Sequence, residues 1–219
     1  YLDPISRSTS FLTTDTVGGR RLALGAILLL ALPGVSSVGQ ASNLPGLNLP
    51  VMRVAPAYPP YADFCRRKPD ECRLTGTGVA TYSPELMAAL WDVSRTVNHE
   101  IRFARDIDNH GIEDYWSLPT SGYGDCEDLA LEKRSRLSRQ GYPRGAMRLT
   151  FVVDRTHMTS HCVLTVDTTR GTFLLDSHTD VVRAWREAPY NFEARERQDG
   201  RWDRYDQSSW QYDAEPARP

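Results

Sequence analysis

Cys126 stands in Gly124-Asp125-Cys126-Glu127-Asp128, one thiol among three carboxylates, directly ahead of good helix formers from Leu129 to Leu137. With Asp125 as N-cap the thiol falls in the first helical turn, where unpaired backbone N–H groups and the positive dipole end favour an anion. Thiols so placed have pKa values lowered to roughly 3.5–7.5, and the chemistry on offer is nucleophilic attack. The plain alternative is a buried apolar cysteine behind an acidic helix cap. Two residues further along weigh against it. His161 opens one strand-like run and Asp176 closes the next, with the turn Thr168-Thr169-Arg170-Gly171 between them. An antiparallel hairpin there sets His161 across from Asp176 or a neighbour, within reach of a His–carboxylate hydrogen bond. In a Cys–His–Asp site the imidazole takes the thiol proton and later protonates the leaving amine, while the carboxylate orients the ring. His157 and His178 are near His161 in sequence, and both read as solvated loop residues. The five tryptophans read as packing residues, with Trp116 alone placed to serve as a second oxyanion donor beside the Cys126 N–H.

The elements that must position these residues are legible in outline. Ser83-Pro84-Glu85 is a helix start, with N-cap, Pro at N1 and an acid in the first turn, and Leu86, Leu90, Val93 and Val97 follow at helical spacing up to about Asn98. Residues 104–124 are polar and glycine-rich and read as an irregular loop leading to Cys126. In the helix after it, Cys126, Leu129, Ala130, Lys133 and Leu137 fall near one face, and Gly141-Tyr142-Pro143 stops it. From there the period changes to two or to short apolar runs: 147–153, 161–166, 172–176, then 190–197 and 201–205 around Asp199-Gly200. Helices first and a meander of strands afterwards make an α+β domain, with the nucleophile at a helix N-terminus packed on an antiparallel sheet.

Composition sets the compartment and excludes some partners. Arg20-Arg21 precede an apolar run, Leu22 to Leu32, that is shorter than the about 20 residues a membrane span needs and is followed by small residues. This reads as a secretory signal peptide. The expected organisation is an N-terminal extension and signal peptide over 1–41, one domain over 42–205, and a disordered polar tail over 206–219. A formal net charge of −2 gives no electrostatic footprint for nucleic acid. Export permits disulfides. Cys65 and Cys72 flank a short polar loop containing Pro69 and read as a local pair, whereas pairing between the remaining Cys126 and Cys162 stays open.

Gly124-Asp125-Cys126-Glu127-Asp128, His161-Cys162-Val163-Leu164 and Leu174-Leu175-Asp176-Ser177, with Gly111 to Pro119 and the 65–72 loop, resemble the bacterial transglutaminase-like cysteine proteinases, over roughly residues 62–205. The LapG-type periplasmic proteases are their best-known branch. Leu129, Cys162 and Ser177 depart from the pattern, and none of the three is a triad position. The resemblance implies a papain-like fold in the transglutaminase sense, a thioester intermediate, periplasmic location, a protein substrate such as a large surface adhesin, and an inner-membrane regulatory receptor. It also implies calcium at the acids flanking the cysteine, which would relieve the opposition between carboxylates and a thiolate. The expected ligands are Asp125, Glu127 and Asp128, joined by loop acids such as Asp106, Asp108 or Asp114. A transglutaminase or amidase using the same thioester, and a calcium-dependent binding module without turnover, are the rival readings.

Overall fold

The computed structural model describes residues 46–214; the signal-peptide reading of 1–41 and the last five residues of the expected tail lie outside them. In chain order the elements are β1 (Val51–Ala55), α1 (Pro59–Arg67), α2 (Pro69–Cys72), α3 (Pro84–Glu100), β2 (Arg102–Phe103), α4 (Asp106–His110), β3 (Tyr123–Gly124) and α5 (Cys126–Arg139). They are followed by β4 (Met147–Asp154), β5 (Ser160–Thr168), β6 (Gly171–Leu175), β7 (Arg183–Ala184), β8 (Tyr190–Glu196) and β9 (Trp202–Tyr205). Seven strands form one antiparallel sheet in the order β1-β9-β8-β4-β5-β6-β7. This is the α+β arrangement expected. Among the described residues no helix is long and apolar enough to cross a membrane.

The main core lies between the helices and one face of the sheet. Ser83 caps α3 through its Oγ, which accepts from the Leu86 N–H at 3.1 Å, and Leu86, Leu90, Val93 and Val97 are the buried stripe of that helix. These meet Leu129, Leu131 and Leu137 of α5 and Met147, Leu149, Leu164 and Val166 of the sheet. Trp202, Tyr61, Trp116 and Phe151 add an aromatic cluster in which Phe151 stacks on Trp202 and the other pairs meet at edge or tilted angles. The opposite sheet face carries a smaller cluster, including Val152, Val163, Tyr190 and Phe192, with Leu47 and Leu49 packed on it.

Helix α5 is more enclosed than a one-sided apolar stripe implies. Lys133, Arg134 and Ser135 are buried together with Leu129, Ala130, Leu131 and Leu137, so polar residues occupy positions facing neighbours rather than water. Arg134 makes this tolerable by pairing at 2.5 Å with Glu196 of β8, itself bonded to the Tyr61 hydroxyl and the Leu149 N–H. Arg134 also donates to the Glu71 carbonyl at 3.0 Å, and Arg144 binds the Glu71 carboxylate at 2.6 Å. Glu71 lies beside Cys72, which is disulfide-bonded to Cys65 as expected, so the small α1–α2 staple is tied to α5.

Two segments carry more structure than their sequence indicated. Residues 42–62, rich in Pro, Asn and Ala, read only as an extended entry to the domain, and they supply β1, which pairs with β9 at the sheet edge. The loop before Cys126 holds a one-turn helix, α4, and its ends are closed by the parallel pair β2–β3, with Arg102 opposite Tyr123 and Phe103 opposite Gly124. Two-residue strands carry no periodicity, and their partners are 21 positions apart. Beyond Tyr205, in the segment read as a tail, the Gln211 N–H donates to the Asn191 side chain at 2.8 Å and Asp213 pairs with Arg155 at 2.9 Å.

Candidate active site

Cys126 occupies the first position of α5, and the helix starts there because the preceding Asp125 is extended, at φ −104° and ψ −158°. Asp125 supplies the backbone of the cap but not a side-chain bond: its carboxylate makes no capping contact, and its Oδ1 is buried without a partner. Gly124 is required for a steric reason. A Cβ there would lie 2.8 Å from the Asp128 Cβ and 2.9 Å from its Oδ2. Asp128 is fully buried, and its carboxylate accepts from the Ser117 N–H at 2.6 Å and the Ser117 hydroxyl at 3.2 Å, fastening the preceding loop to the helix. Gly124→Ala must therefore displace Asp128 or the loop, and the expected result is a loss of about 1–3 kcal/mol in stability, read by denaturant unfolding.

The Cys126 thiol donates to Glu127 Oε2 at 3.1 Å, and its sulfur accepts from the Cys162 backbone N–H at 3.3 Å. Cys126 and Cys162 are both free thiols. The contact between them runs from backbone to sulfur. Burial, and then the Glu127 charge, push the Cys126 thiol well up, against the pull of the helix N-terminus.

His161, next to Cys162 on β5, is 3% exposed, and its Nε2 lies 2.7 Å from Asp176 Oδ1. Burial alone would raise the Asp176 carboxyl, but His161, the Tyr190 hydroxyl and the His178 N–H together hold it well below the usual carboxylate range. An ionised Asp176 only accepts, so Nε2 carries the hydrogen and Nδ1 is left as the ring's acceptor. Strand register explains the contact. Leu164 pairs with Leu175 and Thr168 with Gly171. Continued past the strand end, that register sets His161 opposite His178, with Asp176 on the diagonal of the same face.

His178 lies in an exposed bend, as expected of a solvated loop residue, but it also reaches the site. Its ring stacks on His161, with centroids 4.0 Å apart and planes within 6°. Burial and then the facing His161 lower its pKa. His157 is exposed, its Nδ1 3.1 Å from Asp154. Trp116 is 2% exposed, within the aromatic cluster 5.1 Å from Tyr61, and it lies against Asp114.

The acids gather around the start of α5. Ligand atoms of Asp106, Asp114 and Glu127 lie within 4.8 Å of one another, as do those of Asp106, His110 and Asp128. Asp106 is 1% exposed, one oxygen bound by the Tyr115 N–H and the other, Oδ1, buried without a partner. Burial, and then Glu127, push the Asp125 carboxyl up to about 8; burial, opposed by Ser117, pushes Asp128 up to about 8, and burial raises Glu127 and Asp114. Asp108 turns elsewhere and pairs with Arg105 at 2.8 Å. Of the three loop acids considered, Asp106 and Asp114 join Glu127, and a carboxylate set of this kind suits a hard cation with oxygen ligands.

A thiol at the start of a helix, packed on an antiparallel sheet bearing a His–carboxylate pair, defines the papain-like class in its transglutaminase form. More narrowly, the chain belongs to the bacterial transglutaminase-like cysteine proteinase family, whose model matches residues 52–210. Among solved structures it is similar to Legionella pneumophila LapG in its calcium-bound form, at 24% identity over 60% of this chain and 76% of that one, with a TM-score of 0.49. It is also similar to Legionella pneumophila LapG at 25% identity over 56% and 71% of the two chains, and to the EGTA-treated form at 25% over 56% and 69%, both with a TM-score of 0.47. No curated protein matches the chain.

Proposed function

We propose that this transglutaminase-like cysteine protease is a periplasmic endopeptidase that cuts an exposed, extended segment of a surface or secreted protein of the adhesin type, with Cys126 as nucleophile, His161 as general base and acid, and Asp176 as its orienting carboxylate. The observation that carries the assignment is the Cys162 N–H donated to Cys126 Sγ. It seats the sulfur against the residue adjoining His161, whose far nitrogen is committed to Asp176.

His161 Nδ1 takes the thiol proton as Cys126 Sγ attacks the scissile carbonyl carbon. The oxyanion is met by the Cys126 N–H, which as the first in its helix has no intrahelical acceptor. Collapse breaks the C–N bond, the proton on His161 passes to the leaving amine, and a thioester remains. His161 then removes a proton from water, which attacks the thioester and restores the thiol. The Cys162 N–H favours the thiolate throughout by donating to it.

Calcium fits the acid cluster, because two of its buried oxygens, Asp106 Oδ1 and Asp125 Oδ1, lack any partner. Asp125 and Glu127 would hold the ion together with Asp106 and Asp114, and Asp128, whose carboxylate clusters with Asp106, would join them. A bound ion supplies positive charge that offsets the carboxylates opposing thiolate formation.

Two measurements test this. Calcium at about 100 times its dissociation constant is expected to add about 2.7 kcal/mol and raise the melting temperature by roughly 5–10 °C, an increment absent in Asp125→Asn/Glu127→Gln. A chelator is expected to slow iodoacetamide alkylation of Cys126, read by mass spectrometry. An unchanged melting temperature would remove the calcium assignment, and alkylation no faster than that of free glutathione would remove the nucleophile assignment.

A further inference from the structure

Asp176 is gripped from three directions, and only one of them is His161. Its Oδ1 accepts from His161 Nε2 at 2.7 Å and from the His178 backbone N–H at 3.0 Å, while Oδ2 accepts from the Tyr190 hydroxyl at 2.6 Å. Tyr190 opens β8, which is separated from the β5–β6 hairpin by β4, so this third bond comes from an element remote from the strand that presents Asp176. The Tyr190 ring is 7% exposed and its centroid is 5.7 Å from that of His161. Burial and the Asp176 charge push its hydroxyl well above the ordinary tyrosine value, so it is a donor near neutral pH.

The carboxylate torsion of aspartate is intrinsically broad and two-fold. Two bonds on one oxygen leave the group free to swing about them. A short bond to the other oxygen, from a residue anchored in the sheet, removes that freedom. The competing explanation is that Tyr190 merely fills the second core cluster with Val152, Val163, Leu174 and Phe192. Phenylalanine fills that space equally well but cannot bond Asp176.

We propose that Tyr190 is a positioning residue that locks Asp176, so that neutral His161 is held as the Nε2–H tautomer with Nδ1 free for the thiol proton. The proposal rests on the reading of Cys126, His161 and Asp176 as a triad. It extends that hydrogen-bonded chain by one member, which acts only through Asp176.

The tautomer is read directly by 15N NMR of the imidazole nitrogens at pH 8.5 in Cys126→Ala protein, with His161→Gln supplying the assignment. A single Nε2–H form is expected. Adding Tyr190→Phe is expected to bring in the Nδ1–H form or to broaden the Nε2–H signal by exchange. An unchanged Nε2–H signal overturns the proposal. Tyr190→Met, which also lacks the donor but packs differently, must give the same change should the phenylalanine variant melt early.

The kinetic arm uses iodoacetamide as the probe of Cys126 at pH 7. Tyr190→Phe is expected to lower the alkylation rate about tenfold in the otherwise native protein and to have no further effect in Asp176→Asn, since residues acting through one another do not add. Multiplying losses would mark Tyr190 as a packing residue and overturn the proposal. Failure of the triad reading is a separate result: the native thiol would alkylate no faster than glutathione, whereas the NMR arm, lacking Cys126, would still report whether Tyr190 sets the tautomer.

Discussion

His161→Gln is expected to abolish peptide-bond hydrolysis and fast Cys126 alkylation together, with a loss on the order of 10³–10⁴-fold. The size follows from the surroundings of the thiol. Burial and Glu127 oppose ionisation of Cys126, and what favours it is the helix terminus, the Cys162 N–H and, on the proposed reading, His161 as base. Removing the base leaves the first two, which stabilise a thiolate but cannot accept its proton or return it to an amine. Glutamine retains a polar side chain of similar reach against Asp176, so the fold is expected to persist, as circular dichroism would show. Asp176→Asn is expected to cost less, because His161 keeps a hydrogen-bond partner but loses the charge and the tautomer preference. Alkylation rates unchanged in His161→Gln would mean that the pair at 2.7 Å is structural and that the thiol has another base.

Glu196→Ala is expected to destabilise the domain by about 3–5 kcal/mol, measured by denaturant unfolding. Arg134 is 0% exposed, and Glu196 is its carboxylate partner, at 2.5 Å. With Glu196 gone, an uncompensated guanidinium stays in the core, the Tyr61 hydroxyl loses its acceptor, and the Leu149 N–H loses one as well. Arg134 can still bond the Glu71 carbonyl, which limits the loss. The desolvation argument has a second consequence. Arg134→Met combined with Glu196→Leu is expected to be more stable than Glu196→Ala alone, because neither charge remains to be buried. A double variant no better than the single one would show that the pair contributes net stability. Because Arg134 lies two turns after Cys126 on α5, the loss should also slow alkylation, through displacement of the helix.

Helix α3 was legible because Ser83-Pro84-Glu85 and the apolar spacing act locally. The hairpin from His161 to Asp176 was legible because a short turn brings near neighbours together. The residues of α5 are readable from its helix formers and its Gly141 stop, but the burial of Arg134 is not, since the partner, Glu196, is 62 positions away. The strands β2 and β3 and the turn α4 were hidden for the same reason. They exist because the loop ends pair with each other, and that pairing places Asp106, with its unpartnered oxygen, near Glu127, the residue after the cysteine.

The sequence by itself determined the local chemistry: a thiol in a helix's first turn, acids on either side of it, and a histidine and an aspartate joined by one hairpin. Each is fixed by residue type and spacing over a few positions. Only the tertiary structure decided which acids converge, that His178 stacks on His161, and that Tyr190 reaches Asp176 from a separate strand. Those contacts depend on register and on burial. A hydrogen bond from a remote strand leaves no periodic trace, and the lost solvation that makes a carboxylate require a partner arises only when the core closes around it.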